Sequence, residues 1–227
     1  MILFSTFCLT LLVVGVCEHR SLAAFDWIED NPSASWSARY THTSVVYDNK
    51  IFVIGGAVAS PFNDVWSSSN GGVTWNQVTA SAVWGARGYH SSVVHDNNIY
   101  VMGGFNFAGT YFGSVWRSSN SGASWSLLAS TAVWGGRHSH KSVVYNNKIY
   151  VIGGRAAAVQ VNDVWSSVNG VDWIQVSASA GWSIRQSHSS VVHDDKIYVM
   201  GGEGTAGFLS DVWSSSDGGI TWVEVTA

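Results

Sequence analysis

Short apolar runs recur along the chain in pairs. TSVVYDNK, SSVVHDNN, KSVVYNNK and SSVVHDDK each end in a cluster of Asn, Asp and Lys, and each leads at once into IFVIGG, IYVMGG, IYVIGG or IYVMGG. Asn and Asp tolerate positive φ, so each pair predicts a β-hairpin with a tight turn. A second hairpin follows every Gly-Gly. Its first strand carries Asp64-Val65-Trp66, Ser114-Val115-Trp116, Asp163-Val164-Trp165 or Asp211-Val212-Trp213, and its second begins at Trp75, Trp125, Trp173 or Trp222. The Gly pairs at 55, 103, 153 and 201 are spaced by 48, 50 and 48 residues. Each unit therefore supplies four short antiparallel strands, A to D. One such meander cannot cover both its faces, so the units must stack on one another.

Composition agrees with an all-β chain. Charged residues are 11% against roughly 25% in ordinary globular chains, while the 227 residues include 24 Gly, 13 Trp and only 2 Pro. The formal net charge of −4 gives no electrostatic footprint for nucleic acid. Residues 1–24 open with the apolar run MILFSTFCLTLLVVGVC, which predicts a secretory signal peptide cleaved after Cys17 or within 21–24. A single-pass anchor is the rival, but a spanning helix needs roughly 20 apolar residues. The expectation is a secreted protein with no stable membrane insertion after cleavage. Cys8 and Cys17 both fall in this segment, so the mature chain is expected to lack disulfides, thiolate chemistry and any cofactor built on cysteine.

The order Arg-x-x-His, apolar strand, second strand ending in Gly-Gly, Asp-Val-Trp and a further Trp resembles the kelch repeat and the central domain of galactose oxidase. The resemblance runs from residue 27 to 227. It implies a β-propeller of four four-stranded antiparallel blades at 40–86, 87–136, 137–184 and 185–227. The turns Ser68-x-Asn70-x-Gly72-x-Thr74-Trp75 and Ser215-x-Asp217-x-Gly219-x-Thr221-Trp222 resemble the Asp-box of sialidases, a turn-stabilising device. Residues 27–39, WIEDNPSASWSAR, align with 75–87, WNQVTASAVWGAR, so 25–39 is expected to carry one extra N-terminal D-type strand and a linker. Four blades and a spare strand leave ring closure open: the chain either closes tightly or forms an incomplete ring that self-association or further sequence would complete.

Residues shared by the four copies are expected to serve the blade, and residues that differ are better candidates for function. The shared tryptophans, each able to bury roughly 150–250 Å², are read as packing. The shared Arg39, Arg87, Arg137 and Arg185 and their histidines are read mainly as partners of backbone carbonyls between blades, but the arginines stay on the candidate list because kelch propellers often use this D–A loop for ligands. The copies differ most after each Gly-Gly. There lie Phe105, Phe107, Tyr111 and Phe112 in the second unit, Arg155 in the third and Glu203 in the fourth. Loops on a rigid scaffold concentrate binding residues. The resemblance places these B–C loops and the D–A loops on one face, around the channel mouth. The expected function is a binding module for a glycan or a protein or peptide ligand. The alternative is an extracellular carbohydrate-active enzyme of the sialidase or sugar-epimerase kind. No catalytic set, metal site or cofactor is assigned.

Overall fold

The computed structural model describes residues 27–225. The segment read as a signal peptide, 1–24, lies outside them. The described residues form four antiparallel sheets and no helix. Blade one is β1 (Thr43–Tyr47), β2 (Lys50–Ile54), β3 (Val65–Ser68) and β4 (Asn76–Thr79); blade two is β5 (Ser91–His95), β6 (Asn98–Met102), β7 (Val115–Ser118) and β8 (Ser126–Ala129). A two-residue strand, β9 (Arg137–His138), enters blade three, which is β10 (Lys141–Tyr145), β11 (Lys148–Ala156), β12 (Val159–Ser167) and β13 (Ile174–Ser177). Blade four is β14 (Ser189–His193), β15 (Lys196–Gly204), β16 (Gly207–Ser215) and β17 (Val223–Glu224). In every sheet the strands pair in sequence order, and β9 adds to the B strand β11 of blade three.

The A–B turns form as the Asn/Asp clusters predict. Both central residues have positive φ in all four: Asp48 and Asn49, Asp96 and Asn97, Asn146 and Asn147, Asp194 and Asp195. That is the twist a two-residue hairpin needs. The C–D turns are held by their own side chains. In blade one Ser68 Oγ accepts from Gly72 N–H at 2.9 Å, Asn70 Oδ1 accepts from Thr74 N–H at 2.9 Å, and Trp75 Nε1–H closes onto Gly72 O at 2.8 Å. Blade three is one residue shorter there and keeps the device with a tighter span, Gly170 N–H to Ser167 Oγ at 2.9 Å.

The blades stand side by side as a propeller, with A strands innermost: β1 meets β5, β5 meets β10 and β10 meets β14. Side chains alternate across each sheet, so a blade presents one apolar set to the blade before it and another to the blade after. Phe52, Ile54, Val65, Ala82 and Trp84 meet Ile99 and Val101 between blades one and two. Tyr100, Met102, Val115 and Trp134 meet Ile149 and Val151 between two and three. Tyr150, Ile152, Val164 and Trp182 meet Ile197 and Val199 between three and four. Trp84, Trp134 and Trp182 are buried, each meeting the next Trp edge-on at 5.8–6.1 Å. Among the described residues no corresponding core joins blade four to blade one.

The extra N-terminal strand is a correction. Residues 27–39 contain no strand, and Trp27 and Ile28 are fully or largely exposed. The alignment with 75–87 is real in residue type, but a D strand needs a C strand to pair with, and all four C strands of the described residues, β3, β7, β12 and β16, already carry their own D strands. Trp36 and Arg39 keep their repeat roles, Trp36 packing edge-on against Trp75 at 5.7 Å and Arg39 bonding Gly55 and Asp64.

Candidate functional site

Each Gly-Gly makes a sharp bend that the shared arginine fills. Gly55 and Gly56 have φ of 55° and 95°, and a side chain on Gly56 would run into His42 at 2.7 Å. The guanidinium of Arg39 donates to Gly55 O at 2.9 Å and to both oxygens of Asp64 at 2.6 and 3.0 Å. Arg137 with Gly153 and Asp163, and Arg185 with Gly201 and Asp211, repeat this clamp. Trp66, Trp165 and Trp213 each donate an indole N–H to the same aspartate at 2.7 Å. These contacts hold the Asp64 and Asp211 carboxyls below the usual range despite burial. Arg87 lacks the acid: Ser114 stands there, and the guanidinium donates to Gly103 O, Ser114 Oγ and Trp84 O. Burial alone lowers its pKa to about 9. All four guanidiniums are therefore enclosed by the fold. The carboxylates and Gly carbonyls they satisfy belong to the same blade, while Arg87 and Arg137 also reach back to the carbonyls of Trp84 and Trp134 at the end of the preceding blade, as the repeat suggested.

The histidines do bridge blades, but to hydroxyls. His90 Nε2 meets Thr43 Oγ1 at 2.9 Å, and His140 Nε2 meets Ser91 Oγ at 2.8 Å. His188 finds Lys141 at the equivalent place, and both its ring nitrogens lack a hydrogen-bond partner among the described residues. Burial, with the neighbouring cations second, holds His90 and His188 at about 3 and His140 well below its ordinary value. All three are neutral at pH 7. His90 and His140 border a central cavity of about 240 Å³ whose lining includes Thr41, Thr43, Tyr89, Ser139, Lys141 and Ser187.

At one end of that cavity the loops bring aromatic rings together from three blades. Tyr40 stands 6.3 Å from Tyr89 and 6.4 Å from Phe107, ring centre to ring centre. Phe107 continues to Phe105 at 5.4 Å, Phe105 to Tyr111 at 5.0 Å, and Tyr111 stacks on His138 at 5.4 Å with 22° between planes. Tyr40 is exposed and the other five rings are half-buried. Such offset and edge-on pairs hold each other in place. Gly88 makes the room: a Cβ there would strike Thr41 Oγ1 at 2.4 Å and Phe107 at 3.1 Å. Arg155 is paired through its backbone with His138, and its Nε is buried with no partner among the described residues. Burial first, and Arg155 second, lower His138 to about 4. Glu203 accepts a 2.8 Å bond from Gln186 at the edge of blade four.

Of the residues picked from sequence, Phe105, Phe107, Tyr111 and Arg155 converge here, and Glu203 lies on the same rim. Phe112 does not join them. Its ring lies 4.0 Å from the Arg87 guanidinium carbon, as Phe62 lies 4.4 Å from that of Arg39. Tyr40, Tyr89 and His138 are absent from the sequence-based candidates, since they sit inside the shared Arg-x-x-His motif. The signal was present: the two x positions read Tyr-Thr, Gly-Tyr, His-Ser and Gln-Ser across the copies, a difference as large as that in the B–C loops.

The family model of the KLHDC2/KLHL20/DRC7 Kelch-repeats domain matches residues 21–202. No curated protein matches the chain. A match over most of the chain, together with four blades that each carry the Arg-x-x-His and Gly-Gly geometry, establishes that the chain belongs to the kelch-repeat family.

Proposed function

We propose that this propeller is a protein-binding module that takes an extended segment of a partner across the aromatic platform at its channel mouth. Kelch domains generally mediate contacts between proteins. The observation that carries the reading is the run of rings from Tyr40 to His138, on which three blades converge and which leaves apolar faces half open to solvent. Concave or flat aromatic surfaces flanked by a few polar groups are where binding energy concentrates. Arg155 and Glu203 supply one charge of each sign at the rim. Arg39, Arg87, Arg137 and Arg185 stand outside this surface, since their donors are spent inside the blades.

A displayed peptide library panned against the protein tests this. Binders should be recovered whose affinity falls tenfold or more with Phe107→Ala or Tyr111→Ala, about 1.4 kcal/mol each. Ligands found only on a glycan array, and lost in the same variants, would replace the protein partner with a carbohydrate. Binding unchanged in both variants would remove the platform from the account. The sialidase-like or epimerase-like alternative draws no support from the acids beside the arginines, because each is already held by a guanidinium and an indole.

We also propose secretion, on the apolar run that opens residues 1–24. Expression of the full chain in a secretory host should release protein whose N-terminus lies after Cys17 or within 21–24. Retention of the uncleaved chain in the cell would defeat this.

A further inference from the structure

Three backbone hydrogen bonds recur at every junction between consecutive blades. The second Gly of the pair donates to the carbonyl of the next blade's arginine: Gly56 to Arg87 at 3.0 Å, Gly104 to Arg137 at 2.8 Å, Gly154 to Arg185 at 2.9 Å. That arginine's N–H donates back to the B–C loop: Arg87 to Phe62 at 3.0 Å, Arg137 to Phe112 at 3.1 Å, Arg185 to Val161 at 3.3 Å. Around the channel Tyr89 N–H donates to Thr41 O at 3.1 Å, Ser139 to Tyr89 at 2.8 Å and Ser187 to Ser139 at 2.9 Å. None of the three joins blade four to blade one among the described residues. The equivalent groups are Gly202 N–H, Leu209 O and Ser187 O on blade four, and Arg39 O, Arg39 N–H and Thr41 N–H on blade one. The two sets are donor-for-acceptor complements.

The apolar surfaces match in the same way. Tyr100, Met102 and Val115 are buried against blade three, yet their counterparts Tyr198, Met200 and Val212 in blade four are only half-buried. His95 is 4% exposed, whereas the side chain of its counterpart His193 is 72% exposed. Val191 is 46% exposed where Val93 and Val143 are buried. On blade one, Val46 is 69% exposed, while its counterparts Val94 and Val144 pack into the cores between blades. The C–D turns show the fit most directly. A Cβ on Gly122 would touch Val65 at 3.0 Å, and one on Gly219 would touch Val164 at 2.9 Å, but Gly72 of blade one has nothing within 4 Å. An open cleft of about 520 Å³ lies there, lined in part by Trp36, Gly72 and Trp75. By this pattern it receives Val212 and its neighbours.

We propose that the open flank of blade four docks onto the open flank of blade one of a second copy of this chain, head to tail. The contact repeats the junction the chain already makes three times, with Gly202 donating to Arg39 O, Arg39 to Leu209 O and Thr41 to Ser187 O of the adjoining copies. A heterologous contact closes a ring when its rotation permits, and two chains are the smallest such ring. The association is independent of what the channel mouth binds.

Light scattering on the eluting full chain across the micromolar range tests this. The expected mass is twice that of one chain. Val46→Glu alters only the blade-one flank and Val191→Glu only the blade-four flank, and both side chains are exposed in the single chain. Each variant alone should elute as a monomer with an unchanged β-sheet circular-dichroism spectrum. Mixing the two should restore a dimer, because the intact blade-four flank of one meets the intact blade-one flank of the other. A monomeric parent chain, or a dimer that survives both substitutions, would overturn the proposal.

Discussion

Arg87 meets Ser114 through a single 3.1 Å hydrogen bond at the point where Arg39, Arg137 and Arg185 each grip an aspartate with two. Blade two therefore encloses a cation without a counterion. Ser114→Asp should recreate the clamp and raise stability by about 1–3 kcal/mol, since hydrogen bonds between charged groups outweigh neutral ones. The converse change, Asp163→Ser, should cost about 3–5 kcal/mol by stranding Arg137. Denaturant midpoints of the two variants check both signs. If Ser114→Asp is destabilising, desolvation of the added carboxylate outweighs the pair.

Lys141 occupies the position where Thr43 and Ser91 offer a hydroxyl to the next blade's histidine. His188 Nε2 and Ser190 Oγ are both buried without partners as a result, whereas Ser92 and Ser142 are each bonded by that hydroxyl. Lys141→Ser should supply the missing group and release an ammonium whose pKa burial has lowered. A gain of about 1 kcal/mol in thermal or chemical unfolding is expected. An unchanged or lower midpoint would show that the lysine stem contributes more by packing.

Acid should weaken the fold well above the carboxylate range. The folded-state pKa values of His90, His140 and His188 lie below the ordinary 6.5, so the unfolded chain binds more protons as the pH falls. The stability these neutral histidines contribute is complete above pH 6.5 and is lost progressively below it, down to about 3 for His90 and His188. Each buried histidine costs about 1.4 kcal/mol per pH unit over that span. Unfolding curves between pH 7.5 and 5, at about half-unit steps, should show a falling midpoint. His188→Gln should flatten the slope; an equally steep slope in that variant would move the effect elsewhere.

Gly88 lies beneath the platform, and Gly88→Ala places a methyl against Thr41 and Phe107. Overpacking of this kind costs about 1–3 kcal/mol. The aromatic near-ultraviolet dichroism should change with it while the far-ultraviolet sheet signal stays, because the clash touches a loop ring and no strand. A silent near-ultraviolet spectrum would mean that Phe107 was never held by its neighbours.

The repeat made most of the fold legible. Paired strands, Asn/Asp turns and Gly-Gly bends are local, and four copies identify them beyond doubt of register. What failed was local likeness without a tertiary partner: residues 27–39 match a D strand in composition, but no C strand waits for them. The candidate site was half legible for a related reason. Phe105, Phe107 and Tyr111 stood out in a loop that differs between copies, whereas Tyr40, Tyr89 and His138 were hidden inside a motif whose flanking Arg and His are constant. The arginines are ligand candidates through the kelch resemblance, and the aspartates that engage three of them lie 25 or 26 residues away, a separation that no periodicity reveals.

The arginine clamp has a consequence for how such chains change length. The carboxylate it grips lies in the same blade, and the recurring bonds that tie one Gly-Gly bend to the next blade run between backbone atoms. A whole blade can thus be inserted or deleted without orphaning a charged side chain, provided the hydroxyl that meets the next blade's histidine is kept. Copy number becomes a variable that a single recombination event can alter, and circumference evolves in steps of one repeat.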